Sequence, residues 1–297
     1  MEFAAAINGA SGPVFYWQTT RFKIDLTQPQ MMGIVNVTPD SFSNRGEHAS
    51  PEAAIRHCKQ LIDEGVDILD IGGESTRPGS PVVALQEELD RVIPVLREAV
   101  KLGVPVSIDT YKPEVMRAAL DLGVDIVNDV WALRQPGAVE VISAHPSCGV
   151  CLMHMHRDPQ TMQSLPMEGD VVGPVMSFWA QRTEAIRALE VARDRIVLDP
   201  GIGFGKTVPQ NFSLLARQYE LRAAGYPLLV GWSRKSSLGS VAGIQSAAAR
   251  MVPSVAVAVM AAERGASILR VHDVRETVAA LAVWHAMKAE QQQGQEQ

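Results

Sequence analysis

Polar and charged side chains recur at the ends of short apolar runs in this chain, and their types suit a cleft for a nitrogen-rich ring and an anion. In order they are Asn36, the Gly72-Gly73-Glu74 turn, Asp109, Asn128, His154, Asp199, the Ser233-Arg234-Lys235 turn, and Arg270 with His272. Singly, an Asp or Asn after an apolar run serves equally well as a turn or helix cap. Together, Asp109, Asn128 and Asp199 supply two carboxylates and an amide, acceptors for a flat heterocycle with several N–H donors. The same groups could ligate a metal, although Lys235 is an awkward neighbour for one. Arg77, Arg270 and His272 are cationic or can become so. Residues 270 and 272 lie two apart on one strand-like run and share a face, which suits a phosphate or pyrophosphate. Surface ion pairs are the plainer alternative, weakened by the strand-end positions.

Two other stretches imitate familiar chemistry. DPGIGFGKT (199–207) looks like a nucleotide-binding phosphate loop, but that pattern needs a glycine where Pro200 stands. A dinucleotide GxGxxG pattern started at Gly201 places its third glycine on Lys206. Both readings fail on spacing. Cys148 and Cys151 form CGVC, with His154 and His156 following, which invites a zinc or redox reading. Residues 151 and 154 are an odd number apart on one strand and face opposite ways. There is no second CxxC, and the motif precedes a strand instead of opening a helix, so a structural role is expected. The Met-His-Met-His run at 153–156 reads likewise as core, with Met153 able to line a pocket.

The elements that must position these groups alternate regularly. Strand-like runs fall at 32–36, 67–72, 104–109, 125–128, 150–154, 196–199, 228–231 and 268–272. Helix-like stretches fall at 51–64, 85–102, 112–122, 137–144, 171–192, 209–224, 247–264 and 274–288. The first helix opens on Ser50-Pro51, an N-cap followed by proline in the first turn. Several helices end in glycine (Gly65, Gly103, Gly123, Gly225, Gly265), as left-handed C-caps do. Eight such units without a composition break predict a (β/α)8 TIM barrel, in which active sites are assembled from the carboxyl ends of different strands. Residues 14–30 read as an N-terminal β-hairpin plugging the bottom of the barrel. The expected organisation is an extension and hairpin over 1–30, one catalytic domain over 31–288 and a disordered tail over 289–297.

Composition narrows the function. The 297 residues are 46% hydrophobic and 20% charged, with a net charge of −6. The Lys and Arg residues form no basic run, so no nucleic-acid partner is expected. The apolar stretch at 252–262 is far shorter than the ~20 residues a membrane helix needs. The N-terminus has no secretory signal pattern, and three cysteines without a disulfide framework point to the cytoplasm. Residues 247–262 are apolar nearly all round, which fits a helix buried either at a subunit interface or in the core.

Eight motifs carry a resemblance to a known family. MGIVNVTPDSFS (32–43), DIGGESTRPG (70–79), SIDTYKPEV (107–115), IVNDV (126–130), CLMHM (151–155), LDPGIGFGK (198–206), VGWSRKS (230–236) and ILRVHD (268–273) occur in the order and spacing of dihydropteroate synthases. The resemblance spans about residues 30 to 285. It implies a folate-pathway transferase that joins 4-aminobenzoate to 6-hydroxymethyl-7,8-dihydropterin diphosphate, giving 7,8-dihydropteroate and pyrophosphate, with Mg2+. It also implies a homodimer and a target for sulfonamides. By the same resemblance Asp109, Asn128 and Asp199 hold the pterin ring, with Lys235 reaching a ring heteroatom and Met153 packing beside it. Asn36 matches a Mg2+ ligand. Asn36, Thr76, Arg270 and His272 match the pyrophosphate site. Phe42, Arg77, Pro78, Phe204 and the Lys235-Ser236 turn match the 4-aminobenzoate pocket, where the substrate carboxylate meets a helix N-terminus. Asp109, Asp199, Lys235, Arg270 and His272 are the catalytic set. Loops at 37–46 and 74–81 are expected to close and exclude water.

Within this reading the 199–207 stretch matters for Asp199. Its glycines let the chain turn and bring Phe204 towards the second substrate, while Lys206 fixes the turn. Two departures stand out. The first loop reads SFSNRG where the family usually has SFSDGG, so Asn44 replaces a carboxylate and Arg45 a glycine, leaving Asp40 as the remaining acid. RMVPSVA (250–256) has Pro253 where a glycine is common, at a helix start where little effect is expected. The rival readings are a methyltetrahydrofolate-dependent methyltransferase, which needs neither the loops nor the Arg-x-His pair, and a weakly active or non-catalytic pterin-binding paralogue, which Asn44 alone supports.

Overall fold

A computed structural model describes residues 16–38, 50–75, 80–157, 162 and 165–295, with side chains described as far as residue 291. A hairpin of β1 (Tyr16–Gln18) and β2 (Lys23–Asp25) precedes eight parallel strands. These are β3 (Gln30–Asn36), β4 (Ile68–Gly72), β5 (Val106–Asp109), β6 (Ile126–Asp129), β7 (Gly149–Met153), β8 (Ile196–Asp199), β9 (Leu229–Val230) and β10 (Ile268–Val271). Each strand from β3 to β7 pairs with the next, and β10 pairs with both β3 and β9. A bridge between Leu198 and Leu228 brings β8 against β9, so the ring is nearly closed.

Period-two alternation decides what fills the ring. Met32, Ile68, Ile126, Cys151, Val197, Leu229 and Ile268 form one buried cluster with Trp17, Ile24 and Leu26 of the hairpin segment. Trp17 is fully buried, and its indole N–H donates to the carbonyl of Arg195 at 2.9 Å, just before β8. Gly149 at the start of β7 makes room: a Cβ there would lie 2.9 Å from the indole nitrogen. The hairpin therefore closes the amino-terminal end of the barrel, as expected from the sequence.

A larger apolar cluster fills the layer between the strands and the helices outside them. The helices are α1 (Pro51–Asp63), α2 (Leu85–Ala99), α3 (Pro113–Asp121), α4 (Ala138–Ala144), α5 (Val172–Arg187), α6 (Val208–Ala216), α7 (Gln218–Leu221), α8 (Ser236–Ala242), α9 (Met251–Glu263) and α10 (Val274–Gln295). The Ser50 hydroxyl caps α1 by accepting from Ala53 N–H, and Pro51 opens it. Among the differences in boundaries from the sequence reading, three have a physical cause in named residues. The helix expected over 209–224 is broken at Arg217, whose guanidinium is bound to Asp170 and Glu220. The helix expected to reach 192 stops at Arg187, before the left-handed turn at Glu190. The tail expected over 289–297 is instead helical through Gln295. Ala, Glu and Gln are good helix formers, and Lys288 ties the last turns to Glu263 of α9 at 3.2 Å.

Candidate functional site

The barrel interior changes character between its ends. Interior positions follow period two, so on several strands an apolar residue of the lower layer is followed two places later by a polar one at the carboxyl end. Ile68 gives way to Asp70, Ile126 to Asn128, Val197 to Asp199, and Ile268 to Arg270, while on β5 the polar Ser107, in register with Asp70, precedes Asp109. Register then sets the neighbours: Asn36 lies beside Gly72, Gly72 beside Asp109, Asp109 beside Asn128, and Met153 beside Asp199. Asp109, Asn128 and Asp199 are all buried, at 5 to 7% exposure. The acceptors expected from the sequence do share one mouth.

Arg270 sits among them. Its Nε donates to Asp70 Oδ2 at 2.6 Å and its Nη2 to Asp109 Oδ2 at 2.7 Å. Asn128 Nδ2 donates to the same Asp70 oxygen at 3.2 Å. Asp70 is fully buried and was not among the residues singled out in the sequence. Its signal was there: a charge on the interior parity of an otherwise apolar strand, ILDIG. Among the described residues, three buried polar atoms in this layer have no hydrogen-bond partner, namely Asp70 Oδ1, Asp109 Oδ1 and Ser107 Oγ. Unpartnered buried acceptors are costly and uncommon, and at the floor of a mouth they suit a ligand with N–H donors. Burial raises the Asp109 carboxyl to about 7; Arg270 opposes this, while Asp70, Glu88 and Asp129 add to it. Burial likewise raises Asp199, against the Gly201 N–H, Lys235, Arg270 and Lys206. For Arg270 burial acts downward, but the Asp70 and Asp109 carboxylates hold it above its ordinary range.

The turn after β8 is built as its glycines suggest. Gly201 has a φ of +66°, and a Cβ there would fall 1.9 Å from the carbonyl oxygen of His154, so the backbone approach requires glycine. Lys206 is buried, and its Nζ donates to the carbonyls of Gly201 (2.9 Å), Phe204 (3.1 Å) and His154 (3.3 Å), with His154 Nδ1 at 3.0 Å. It is the internal clamp of the turn and has no room for a phosphate role. The clamp holds Phe204 where the Lys235 ammonium lies 4.4 Å from its ring centre. The side chains expected to serve the pterin and the second substrate are thus in contact.

His154 does not join the mouth. Its ring meets Phe178 of α5 edge-on at 5.0 Å, in the helix layer. Burial, with Lys206, His156 and Arg134 nearby, pulls it down to about 2, so it is neutral. Odd spacing from Cys151 turned it outward, by the same parity that separates it from the cysteine. All three cysteines are free and buried, and the Cys148 sulfur accepts from Arg195, in agreement with a structural role for CGVC.

The second loop region at the mouth is shaped by residues 233 to 236. Ser233 Oγ accepts from the His272 backbone N–H at 3.1 Å and lies 2.9 Å from His272 Nδ1, fixing that ring. Arg234 adopts a left-handed φ of +59° and binds Asp273 through Nε (3.2 Å) and Nη2 (2.6 Å). Its backbone N–H donates to Ser254 Oγ at 2.9 Å, and that hydroxyl donates to the carbonyl of Arg250 at 2.5 Å. Pro253 sits in the first turn of α9, where its missing N–H has no intrahelical partner to lose. The turn leaves Lys235 as the N-cap residue and Ser236 as the first residue of α8, a helix missing from the stretches read by pattern and implied only by the family resemblance. Ser233 belongs to a strand-end turn already singled out in the sequence, whereas Asp70 is a supporting residue that strand-end position alone did not single out.

Phe42, Thr76, Arg77 and Pro78, with Asp40, Asn44 and Arg45, lie outside the described residues. Among the described residues no group of three or more His, Cys, Asp or Glu side chains is arranged to hold a metal ion. Asn36, at the end of β3, offers an amide oxygen. That suits Mg2+, which takes one or two protein oxygens together with phosphate oxygens and water.

Comparison with known proteins agrees with this geometry. The family model described as pterin binding enzyme matches residues 32–272. The chain is 50% identical over 274 residues to the dihydropteroate synthase of Neisseria meningitidis serogroup C, covering 91% of this chain and 97% of that one. The crystal structure of Burkholderia cenocepacia dihydropteroate synthase complexed with 7,8-dihydropteroate is similar with a TM-score of 0.86 and 47% identity, covering 95% of this chain and 100% of that one. Xanthomonas albilineans dihydropteroate synthase with 4-aminobenzoic acid is similar at a TM-score of 0.85 and 47% identity, covering 90% and 96%.

Proposed function

Because the chain belongs to the dihydropteroate synthases of the pterin-binding enzyme family, we propose that it condenses 6-hydroxymethyl-7,8-dihydropterin diphosphate with 4-aminobenzoate to give 7,8-dihydropteroate and pyrophosphate. The observation that carries this reading is the pairing of buried acceptors with Arg270 at one mouth. Asp109 Oδ1 and the Asp199 and Asn128 side chains are placed to accept from and orient the pterin, with Met153 and Phe204 as apolar walls. Arg270 and His272 receive the diphosphate, with Thr76. The 4-aminobenzoate pocket is assigned to Phe42, Arg77, Pro78, Phe204, Lys235 and Ser236.

The reaction is displacement at a methylene attached to an electron-rich ring. The methylene C–O bond breaks and pyrophosphate leaves with the electron pair. The aminobenzoate nitrogen then bonds to the methylene carbon and releases a proton. Such a dissociative path asks for charge stabilisation more than for a base. The Asp109 and Asp199 carboxylates stabilise the cationic pterin, while Arg270 and His272 stabilise the departing anion. Mg2+, held by the Asn36 oxygen and phosphate oxygens, would neutralise part of that anion's charge.

A homodimer fits the surface. The buried face of α9 (Ser254, Val257, Ala258, Ala261, Ala262) packs into this chain, while Val252 (70% exposed), Ala256 and Met260 (47% exposed) form an outward apolar stripe. Val283 and Met287 of the adjacent α10 extend it. A patch of this kind marks an interaction surface, here for a second copy of the chain. No described helix is long and apolar enough to cross a membrane, and the buried free cysteines suit a reducing cytoplasm. The activity is tested by incubating the protein with both substrates and Mg2+ and measuring dihydropteroate. Product formation is expected; retained pterin binding without product would leave the non-catalytic paralogue as the correct reading.

A further inference from the structure

The functional assignment leaves Asp70 unexplained. It is fully buried at the interior of β4, accepts from both Arg270 and Asn128, and ends in an oxygen with no partner among the described residues. Burying a carboxylate this way opposes folding, and a packed apolar residue would serve the barrel better. Residues that break a folding rule without a stabilising return are expected where function requires them.

The geometry shows what such a group does. A guanidinium binds a single carboxylate side-on through two parallel N–H groups. With Asp109 as its sole partner, Arg270 would engage both Asp109 oxygens. Asp70 takes the Nε edge, so Arg270 reaches Asp109 through Nη2 alone and Asp109 Oδ1 is left without a partner among the described residues. Nη1 is uncommitted among the described residues. Asp70 also orients Asn128. Because Nδ2 donates to Asp70, the amide cannot flip without setting its oxygen against a carboxylate, and Oδ1 remains the atom available to a ligand. One buried residue therefore sets the direction of two groups assigned to different parts of the substrate.

Resting on the proposed pterin and diphosphate assignments, we propose that Asp70 is a positioning residue that holds Arg270 and Asn128, so that Asp109 is shared with Arg270 by one oxygen and stays open to the pterin by the other. When diphosphate enters, Arg270 keeps Nε on Asp70 while its Nη groups turn to the anion. Occupancy of the pterin and diphosphate subsites is thereby coupled through one guanidinium, and such coupling acts equally in both directions.

The charge arrangement gives the role a pH signature. Asp109 is faced by Arg270 from β10, Asp70 from β4, Glu88 from α2, Asp129 from β6 and the Cys151 thiol from β7. With its carboxyl raised to about 7, pterin affinity rises with pH through that region, because the ionised form accepts ring N–H groups. Removing the Asp70 charge removes one of the influences that raise it, so the midpoint falls.

The test is calorimetric titration of full-length protein with 6-hydroxymethylpterin across pH 5.5 to 9, with and without pyrophosphate, for wild type, Asp70→Asn and Asp70→Glu. Asp70→Asn is expected to keep or raise Tm, weaken pterin binding at least about tenfold, lower the pH midpoint and abolish the effect of pyrophosphate on pterin affinity. Asp70→Glu keeps the charge and the midpoint but recovers only part of the affinity. An Asp70→Asn protein with wild-type affinity, midpoint and pyrophosphate coupling would overturn the proposal. If Asp70→Asn does not fold, Asp70→Glu decides: unchanged affinity and coupling would equally overturn it. A wild-type protein that binds no pterin would instead remove the functional reading itself.

Discussion

The two ends of the barrel interior are made by the same strands and differ by two residues per strand. At the amino-terminal end, Ile68, Ile126, Val197 and Ile268 pack around Trp17, whose single polar atom is satisfied by the Arg195 carbonyl. At the carboxyl end, Asp70, Asn128, Asp199 and Arg270 occupy the matching positions, with Asp70, Asp109 and Ser107 each leaving a buried polar atom without a partner among the described residues. One end is arranged for stability and the other against it. The difference shows that the fold does not need its polar layer, and that the polar layer needs the fold to hold like charges together in a dry place.

Substitutions at the two ends should therefore affect different measurements. The largest effect is expected at the plug. Trp17→Ala should lower stability by about 3–5 kcal/mol, read as a fall in the denaturation midpoint, while kcat/KM of the folded fraction stays at the wild-type value. Lost turnover in a fully folded Trp17→Ala protein would break the separation. At the mouth, Asp199→Ala should weaken pterin binding by about 100-fold, equivalent to about 2.8 kcal/mol, with little change in Tm. Unaltered pterin affinity would remove Asp199 from the site. Smallest is Ser236→Ala, expected to raise the KM for 4-aminobenzoate by about tenfold or less and to leave the KM for the pterin substrate unchanged. If instead Ser236→Ala affects the pterin and Asp199→Ala the aminobenzoate, the assignment of the two pockets is reversed.

Much of this was legible from residue order. Alternation of strand and helix signals, glycine caps and polar strand ends located the barrel and its working face, since these patterns are local. The same parity argument separated Cys151 from His154, yet His154 was still grouped with the mouth because its strand-end position looked like the others. Only its contacts with Phe178 and Lys206 placed it in the helix layer. The break in the helix at Arg217 and the short helix after Lys235 depend on partners far along the chain, Asp170 in one case and Ser254 in the other, and no window of sequence contains them.

The sequence by itself determined which residues line the inside of each strand, because side chains alternate with a fixed period of two. It also determined that residues 199–207 form a glycine-dependent turn and not a phosphate loop, because spacing alone decides that. Which interior residues touch was decided by the tertiary structure. Arg270 meets Asp70, 200 positions away, and Asp109, 161 positions away, only because the ring closes and the strand registers align. That closure makes Asp70 part of the site, shares Arg270 between two carboxylates, and leaves one oxygen of Asp109 for a substrate.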